Sequence, residues 1–248
     1  MRWVGSEPPE PFTGTPGALV LFSDVACPWA TVMVLRLRAA RAELGLASSV
    51  PVIHLAHPLE LLYEHPISRR VLDAEIPVCA SVTPDFGWSL WQGRLDEYPV
   101  SSLLAVEAVQ AARRQSEAAA EELDLALRRA LFARSRCISL RHEILAVTRN
   151  CPALDVDRLA SDLDQGTSRV AVSRQATGAR SVATVCIGYL VLPEGTGWCN
   201  AGITTSWVGP PLPGGVPIVQ HDDPGIYREL VKRAAATTEP QTSPRCPM

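Results

Sequence analysis

The sequence has no surplus of basic charge and no long apolar run. Its 248 residues carry a formal net charge of −3, and Lys232 is its single lysine. Proteins that bind nucleic acid by neutralising phosphates need a basic surplus, so this class is excluded. No apolar stretch approaches the ~18 residues of a membrane-crossing helix, and residues 1–17 lack a signal-peptide pattern. We expect a cytoplasmic protein with a disordered leader over 1–17 and no nucleic-acid or membrane partner.

Paired cysteines are also missing. The seven cysteines include no C-x-x-C pair and no cysteine–histidine spacing suited to zinc. We therefore expect neither a disulfide framework nor a metal site. In a reducing compartment most of these thiols should pack as small apolar groups, so replacing Cys137, Cys151 or Cys186 should mainly affect stability.

The first third of the chain predicts a βαβ unit. The apolar run Ala18–Phe22 followed by Ser23-Asp24 is typical of a buried strand that stops at a loop. From Pro28 the apolar spacing becomes helical and continues to Gly45, a good helix stop. Residues 50–55 predict a second strand, so a right-handed crossover is expected.

The middle of the chain is mainly helical. Residues 57–99 are rich in turn formers and indicate a long covering segment, whereas residues 101–150 are rich in Ala, Leu, Glu and Arg, as in helices. Further helices are predicted at 156–163, where Asp155 is the candidate N-cap, and at 168–177.

Strand signals return near the end. Residues 182–192 and 198–208 predict a hairpin, and a Pro- and Gly-rich loop is expected to continue through Val216. Asp222-Asp223 is interpreted as the acidic cap of a closing helix over 225–236.

These elements predict one domain of the α/β class. Residues 18–236 should form it, with 57–178 as a mainly helical insertion and 237–248 as a frayed tail. Residues 18–55 and 180–236 should share one sheet, because neither strand group alone could bury its apolar faces.

Cys27 is the best candidate for a reactive atom. It lies between a strand end and a helix N-terminus, where unpaired amide N–H groups and the helix dipole favour thiolate over thiol. The alternative is that Cys27 simply packs, as most free cysteines do. Position alone leaves both interpretations open.

A set of short segments extends this interpretation. They are Cys27-Pro28-Trp29-Ala30, His54 with Pro58-Leu59-Glu60-Leu61, Leu72-Asp73-Ala74-Glu75-Ile76-Pro77, Arg136-Cys137-Ile138-Ser139-Leu140-Arg141-His142 and Leu192-Pro193-Glu194-Gly195-Thr196. In this order they resemble the DsbA-like thioredoxin-fold oxidoreductases, a group that includes kappa glutathione transferases and hydroxychromene-carboxylate isomerases. The resemblance covers about residues 18–236.

The resemblance implies a thioredoxin-like fold with a helical insertion and a role for Cys27 as the nucleophile. Substrate-binding residues would be Ser23, Pro28, Trp29, His54 and Gly188. For two of these a structural role is an alternative: His54 as a satisfied polar residue at a strand edge, and Trp29 as an indole that braces the turn.

The sequence departs from the family pattern at two positions. Ala30 stands where a C-x-x-C motif has its second cysteine, so a mixed disulfide on Cys27 has no partner there to resolve it. The family also places a cis-proline opposite the reactive cysteine, whereas this position is occupied here by Gly188, for which a trans peptide is expected.

Three functional hypotheses follow. The first is a monothiol thiol–disulfide oxidoreductase in which an external low-molecular-weight thiol resolves the adduct on Cys27. The second is a transferase or isomerase that binds such a thiol as cosubstrate, with Ser23 or Cys27 hydrogen-bonding its sulfur. The third is an accessory protein on a catalytically inactive scaffold. No tightly bound cofactor is expected, partners are a small thiol or disulfide, and a homodimer is one of the open oligomeric states.

Overall fold

The computed structural model describes residues 14–66, 68–182, 186–210 and 215–237. The strands in these ranges are β1 (Leu19–Ser23), β2 (Val52–Ala56), β3 (Tyr189–Val191), β4 (Gly197–Cys199), β5 (Ile203–Val208) and β6 (Val216–Asp222). The α-helices are α1 (Pro28–Glu43), α2 (Leu59–Tyr63), α3 (Arg69–Val82), α4 (Leu103–Arg113), α5 (Glu117–Arg134), α6 (Arg141–Val147), α7 (Val156–Gln165), α8 (Arg169–Val182) and α9 (Ile226–Ala236).

The βαβ unit forms as predicted from the sequence. Strands β1 and β2 pair in parallel with Leu21 opposite His54, and α1 connects them. Proline occupies the first turn of α1 without losing a hydrogen bond. The helix ends just before Gly45, which adopts the positive φ of 68° that glycine tolerates best.

The main sheet has the strand order β2-β1-β3-β4. Strand β3 is antiparallel to β1, and β4 is antiparallel to β3. One face of the sheet packs against α1 and α9, where Leu19 and Leu21 of β1 share an apolar cluster with Tyr227 of α9. The other face packs against α8 through Ala179. Burial on both faces explains why β1 is an unbroken apolar run rather than an alternating one.

The expectation that all late strands join this sheet was wrong. Strands β5 and β6 pair only with each other in a separate two-stranded sheet. Most of their side chains are exposed, including those of Thr204, Ser206 and Val208. Their inward side chains Ile203 and Val219 pack in an apolar cluster with Cys79 of α3, so this strand pair buries its apolar face against a helix instead of joining the main sheet.

Residues 211–214 of the loop expected through Val216 lie outside the described residues, and the chain after them forms a strand that was not predicted, β6. Asp222 does not cap the closing helix. Its carboxylate pairs with Arg36 of α1 at 2.6 Å, and Gly225 occupies the N-cap of α9. The ion pair therefore joins the small sheet to α1.

A buried arginine ties the helical insertion to the first strand. Arg128 of α5 is fully buried. Its Nε and Nη2 donate to the two carboxylate oxygens of Asp124 at 2.7 and 2.9 Å. Its remaining N–H groups reach the Asp24 carbonyl, the Thr31 hydroxyl and the Ser23 hydroxyl, each at 3.0 Å. All five guanidinium donors are thus used.

The structure describes only part of each predicted terminal segment. Residues 1–13 of the leader predicted over 1–17, and residues 238–248 of the predicted tail, lie outside the described residues. Gly17 donates its backbone N–H to the Thr237 hydroxyl at 2.9 Å. No helix within the described ranges has the length and apolar character needed to cross a bilayer.

Replacing Arg128 with Met should lower the free energy of unfolding by about 3–5 kcal/mol, because the buried Asp124 carboxylate would lose its partner. Urea denaturation followed by circular dichroism measures this loss. The matched control is Arg141→Met, which removes an exposed pair with Asp164 and should cost about 1 kcal/mol or less. Equal losses in the two variants would contradict the role assigned to Arg128.

Candidate functional site

A cavity of about 290 Å³ opens at the N-terminus of α1. Its walls come from the start of α1, from α2 and α3, from the loop before β3, and from β5. The lining residues are Cys27, Trp29, Leu59, Tyr63, His65, Pro66, Ser68, Val71, Leu72, Glu75, Cys186, Ile187, Cys199, Asn200, Thr205 and Trp207. Its size is close to the lower end of the range for small-molecule sites.

Cys27, the free cysteine that lines this cavity, is the N-cap of α1. The backbone of Cys27 is extended, with φ −89° and ψ 117°, and its side chain is 4% exposed. The sulfur accepts the Ala30 N–H at 3.4 Å and lies 3.8 Å from the Ile187 carbonyl oxygen, to which the thiol can donate. Cys27 therefore lies between the helix N-terminus and the loop before β3.

Asp24 fixes the turn that carries this cysteine. Its carboxylate accepts the backbone N–H groups of Ala26 and Leu59 and the Ser102 hydroxyl, at 2.7–2.8 Å. Burial raises the pKa of Asp24 above its usual value, although these donors oppose the shift. The next residue after Leu59, Glu60, accepts the N–H groups that open α4, so this motif positions both the turn and the insertion.

Burial of Cys27 opposes the thiolate that its place at a helix N-terminus favours. Burial raises the pKa of the thiol to about 12, and the negative charge of Glu75 adds to the increase. The Ala30 N–H and Arg128 act in the opposite direction but are outweighed. Of the two interpretations that position alone leaves open, burial favours the packed, protonated thiol.

Glu75 was missed as a functional residue. It lies on α3, and its carboxylate lines the cavity. Burial raises the pKa of Glu75 to about 7, against a hydrogen bond from Trp29 that lowers it. A carboxyl group with this pKa can gain or lose a proton near neutral pH. The sequence did point to Glu75, since this residue belongs to the Leu72–Pro77 segment that carries the family resemblance.

Three of the predicted binding residues lie at or beside the cavity. Pro28 begins α1, and Trp29 lines the wall next to Cys27. Gly188 lies opposite the first turn of α1 with a φ of 93°. A Cβ atom at this position would be only 3.3 Å from the Cα of Ala30, so glycine permits this close approach.

Ser23 and His54 were expected at the substrate and lie elsewhere. The Ser23 hydroxyl accepts a hydrogen bond from Arg128. His54 faces α4 and α5, where its Nδ1 lies 3.6 Å from Asp124, and burial lowers its pKa. Both side chains border a small separate void behind the sheet. Their strands direct these residues into the interface with the insertion, away from the cavity.

A disulfide joins Cys186 and Cys199, with their Cα atoms 5.9 Å apart. The expectations that the chain has no disulfide, and that Cys186 packs as a free thiol, were therefore wrong. The hairpin pairs Tyr189 with Cys199, and the chain before it turns back at Gly188, whose carbonyl accepts the Asn200 N–H. This fold-back brings two cysteines 13 positions apart into contact at the cavity wall.

No protein-family model and no curated protein sequence matches the chain. Solved structures do match. A probable DsbA oxidoreductase from Streptomyces coelicolor has a TM-score of 0.59 and 15% identity, over 93% of each chain. The cytosolic disulfide reductase DsbM from Pseudomonas aeruginosa, solved with GSH, has a TM-score of 0.53 and 14% identity, over 89% of this chain and 96% of its own. A 2-hydroxychromene-2-carboxylate isomerase has a TM-score of 0.56 and 13% identity, over 74% of this chain and 89% of its own.

The structural matches establish the fold alone, because their sequence identities to this chain are low. In this chain the parallel β1-α1-β2 unit, the antiparallel β3-β4 hairpin and the closing helix α9 form the core of the fold, and helices α2–α8 lie between β2 and β3. The chain has the DsbA-like thioredoxin fold with a helical insertion, as its motifs predicted.

Proposed function

We propose that the protein is a thiol–disulfide oxidoreductase in which Cys27 is the nucleophile and a low-molecular-weight thiol supplies the reducing equivalents. The observation that carries this proposal is the position of the Cys27 sulfur. Of the four free cysteines in the described ranges, Cys27 is the one that lines the cavity. It does so at a helix N-terminus, next to a carboxyl group that titrates near neutral pH.

Glu75 makes the high pKa of Cys27 compatible with catalysis. As the sulfur attacks a substrate disulfide, its proton passes to the Glu75 carboxylate, a bond forms between Cys27 and one substrate sulfur, and the other substrate sulfur leaves with the electron pair. The leaving thiolate then takes the proton from Glu75. Because the proton leaves Cys27 while the new S–S bond forms, a stable Cys27 thiolate is not required.

Residue 30 is alanine, so α1 carries no second thiol of a C-x-x-C pair, and we assign the supply of reducing equivalents to an external thiol. A mixed disulfide on Cys27 cannot be released by a neighbouring thiol in the first turn of α1. The cavity is large enough for a small thiol and offers apolar walls with few polar groups, as small-molecule sites do. Among the neighbours, DsbM is a cytosolic disulfide reductase solved with GSH, a thiol of this class. A cytoplasmic location would supply such a thiol.

A second candidate is a transferase or isomerase that uses the thiol as cosubstrate. A protonated Cys27 favours it, since an S–H group can donate a hydrogen bond to the sulfur of a bound thiolate. An isomerase is among the structural neighbours. The Ser23 hydroxyl, the alternative donor, lies in the interface with the insertion and does not line the cavity, so Cys27 would have to fill this role.

Cys27→Ser should abolish the reduction of an aromatic disulfide by glutathione, with a loss of about 100-fold or more, because serine is not a nucleophile toward disulfides at neutral pH. Release of the coloured aromatic thiolate measures the rate. The control is Cys79→Ala, which changes a buried cysteine of the same apolar cluster that does not line the cavity. Full activity in Cys27→Ser would favour the second candidate, in which a hydroxyl can replace the thiol as donor.

The attack of Cys27 should accelerate as the pH rises through about 7, because Glu75 must be ionised to accept the proton. Single-turnover formation of the Cys27 adduct, without added thiol, gives the pH profile. In Glu75→Gln the rise near pH 7 should disappear, and the rate at pH 8 should fall about 100-fold. A variant that reacts faster than wild type above pH 7 would mean that the carboxylate only repels the developing thiolate.

A further inference from the structure

We propose that the Cys186–Cys199 pair is the internal redox partner of Cys27, with Cys186 exchanging with Cys27 and Cys199 exchanging with the external thiol. This inference rests on the proposed function and specifies where the reducing equivalents enter. In this scheme Cys186, which lies in the loop before β3, takes the role of the resolving cysteine that is missing at position 30.

The first support is that three sulfurs border one cavity. Cys27 provides a thiol, and Cys186 and Cys199 provide a disulfide. Thiol–disulfide exchange needs access between a thiol and one sulfur of a disulfide, and these three cysteines line the same cavity.

The second support is the close approach of the loop that carries Cys186. The Cys27 sulfur faces the carbonyl of Ile187, the residue that follows Cys186. The next residue, Gly188, is packed so closely on the first turn of α1 that a Cβ atom would crowd Ala30 and Met33. Loop 186–188 therefore lies against the helical turn in which a C-x-x-C protein carries its resolving thiol.

The third support is the unequal exposure of the two bonded cysteines. Cys186 is buried, at 8% exposure, whereas Cys199 is exposed. The buried sulfur can be approached from Cys27 and the exposed one from solution. Since access decides which sulfur of a disulfide is attacked, the two cysteines are assigned different partners.

The reducing cycle balances as follows. In the reduced protein, Cys27 attacks a substrate disulfide, forms a mixed disulfide and releases the first substrate thiol. The Cys186 thiolate attacks the Cys27 sulfur, releases the second substrate thiol and forms a Cys27–Cys186 bond. Cys199 then attacks Cys186, which frees Cys27 and forms the Cys186–Cys199 bond present in the structure. Two external thiols reduce that bond and leave as their own disulfide.

The test follows single turnovers of the fully reduced full-length protein with one equivalent of an aromatic disulfide, in a Cys246→Ser background because Cys246 lies outside the described residues. The parent should release two aromatic thiolates per chain and end with the Cys186–Cys199 disulfide. Cys186→Ser should release one thiolate and retain the aromatic adduct on Cys27. Cys199→Ser should release two and accumulate a Cys27–Cys186 disulfide, identified by peptide mass spectrometry.

The outcomes separate the inference from the proposed function. Two thiolates from Cys186→Ser, or a stable adduct in the parent, would overturn the internal relay while Cys27 remains the nucleophile. Unchanged reactivity in Cys27→Ser would overturn the proposed function itself. Cys79→Ser is the matched control, since Cys79 packs in the same cluster as Cys27. An adduct that persists in Cys79→Ser, but resolves in Cys186→Ser, would assign the resolving role to Cys79.

Discussion

The hydrogen bonds of the Arg128 guanidinium hold in place the turn from Asp24 to Cys27 at the start of α1. The guanidinium uses every N–H group to bind Asp124 within its own helix, the end of β1 at Ser23 and Asp24, and α1 at Thr31. A charge buried this deeply is tolerated only when all its donors are satisfied. The insertion, the first strand and the first helix therefore have one relative arrangement, and that arrangement defines the place of the Cys27 sulfur.

Burial explains why the helix N-terminus does not favour the thiolate of Cys27, even though Arg128 acts in its favour. Packing the insertion over the turn removes water from Cys27, and the cost of burying a charge exceeds the benefit of one amide donor. A protonated thiol is also less easily oxidised, since oxidation follows thiolate character. In the proposed mechanism, the reactivity of Cys27 therefore depends on a carboxyl group, Glu75, from a different helix.

Local sequence signals predicted the parts of the structure that local physics controls. The β1-α1-β2 unit, the place of Cys27 at the start of α1 and the N-cap role of Asp155 all follow from periodicity and capping. The failures involve distant partners. The Cys186–Cys199 bond depends on a hairpin fold-back, and the pKa values of Cys27 and Glu75 depend on burial by the insertion. No short window of sequence contains this information.

The separate β5–β6 sheet contributes both to the cavity rim and to the apolar cluster around the thiol. Thr205 and Trp207 line the cavity, and Ile203 and Val219 pack in the cluster that contains Cys27. The sheet is also joined to α1 by the pairing of Asp222 with Arg36. The residues of this small sheet are therefore under different constraints. Substitutions at Thr205 or Trp207 would change the cavity rim, whereas a substitution at Ile203 would also disturb the packing around the Cys27 sulfur.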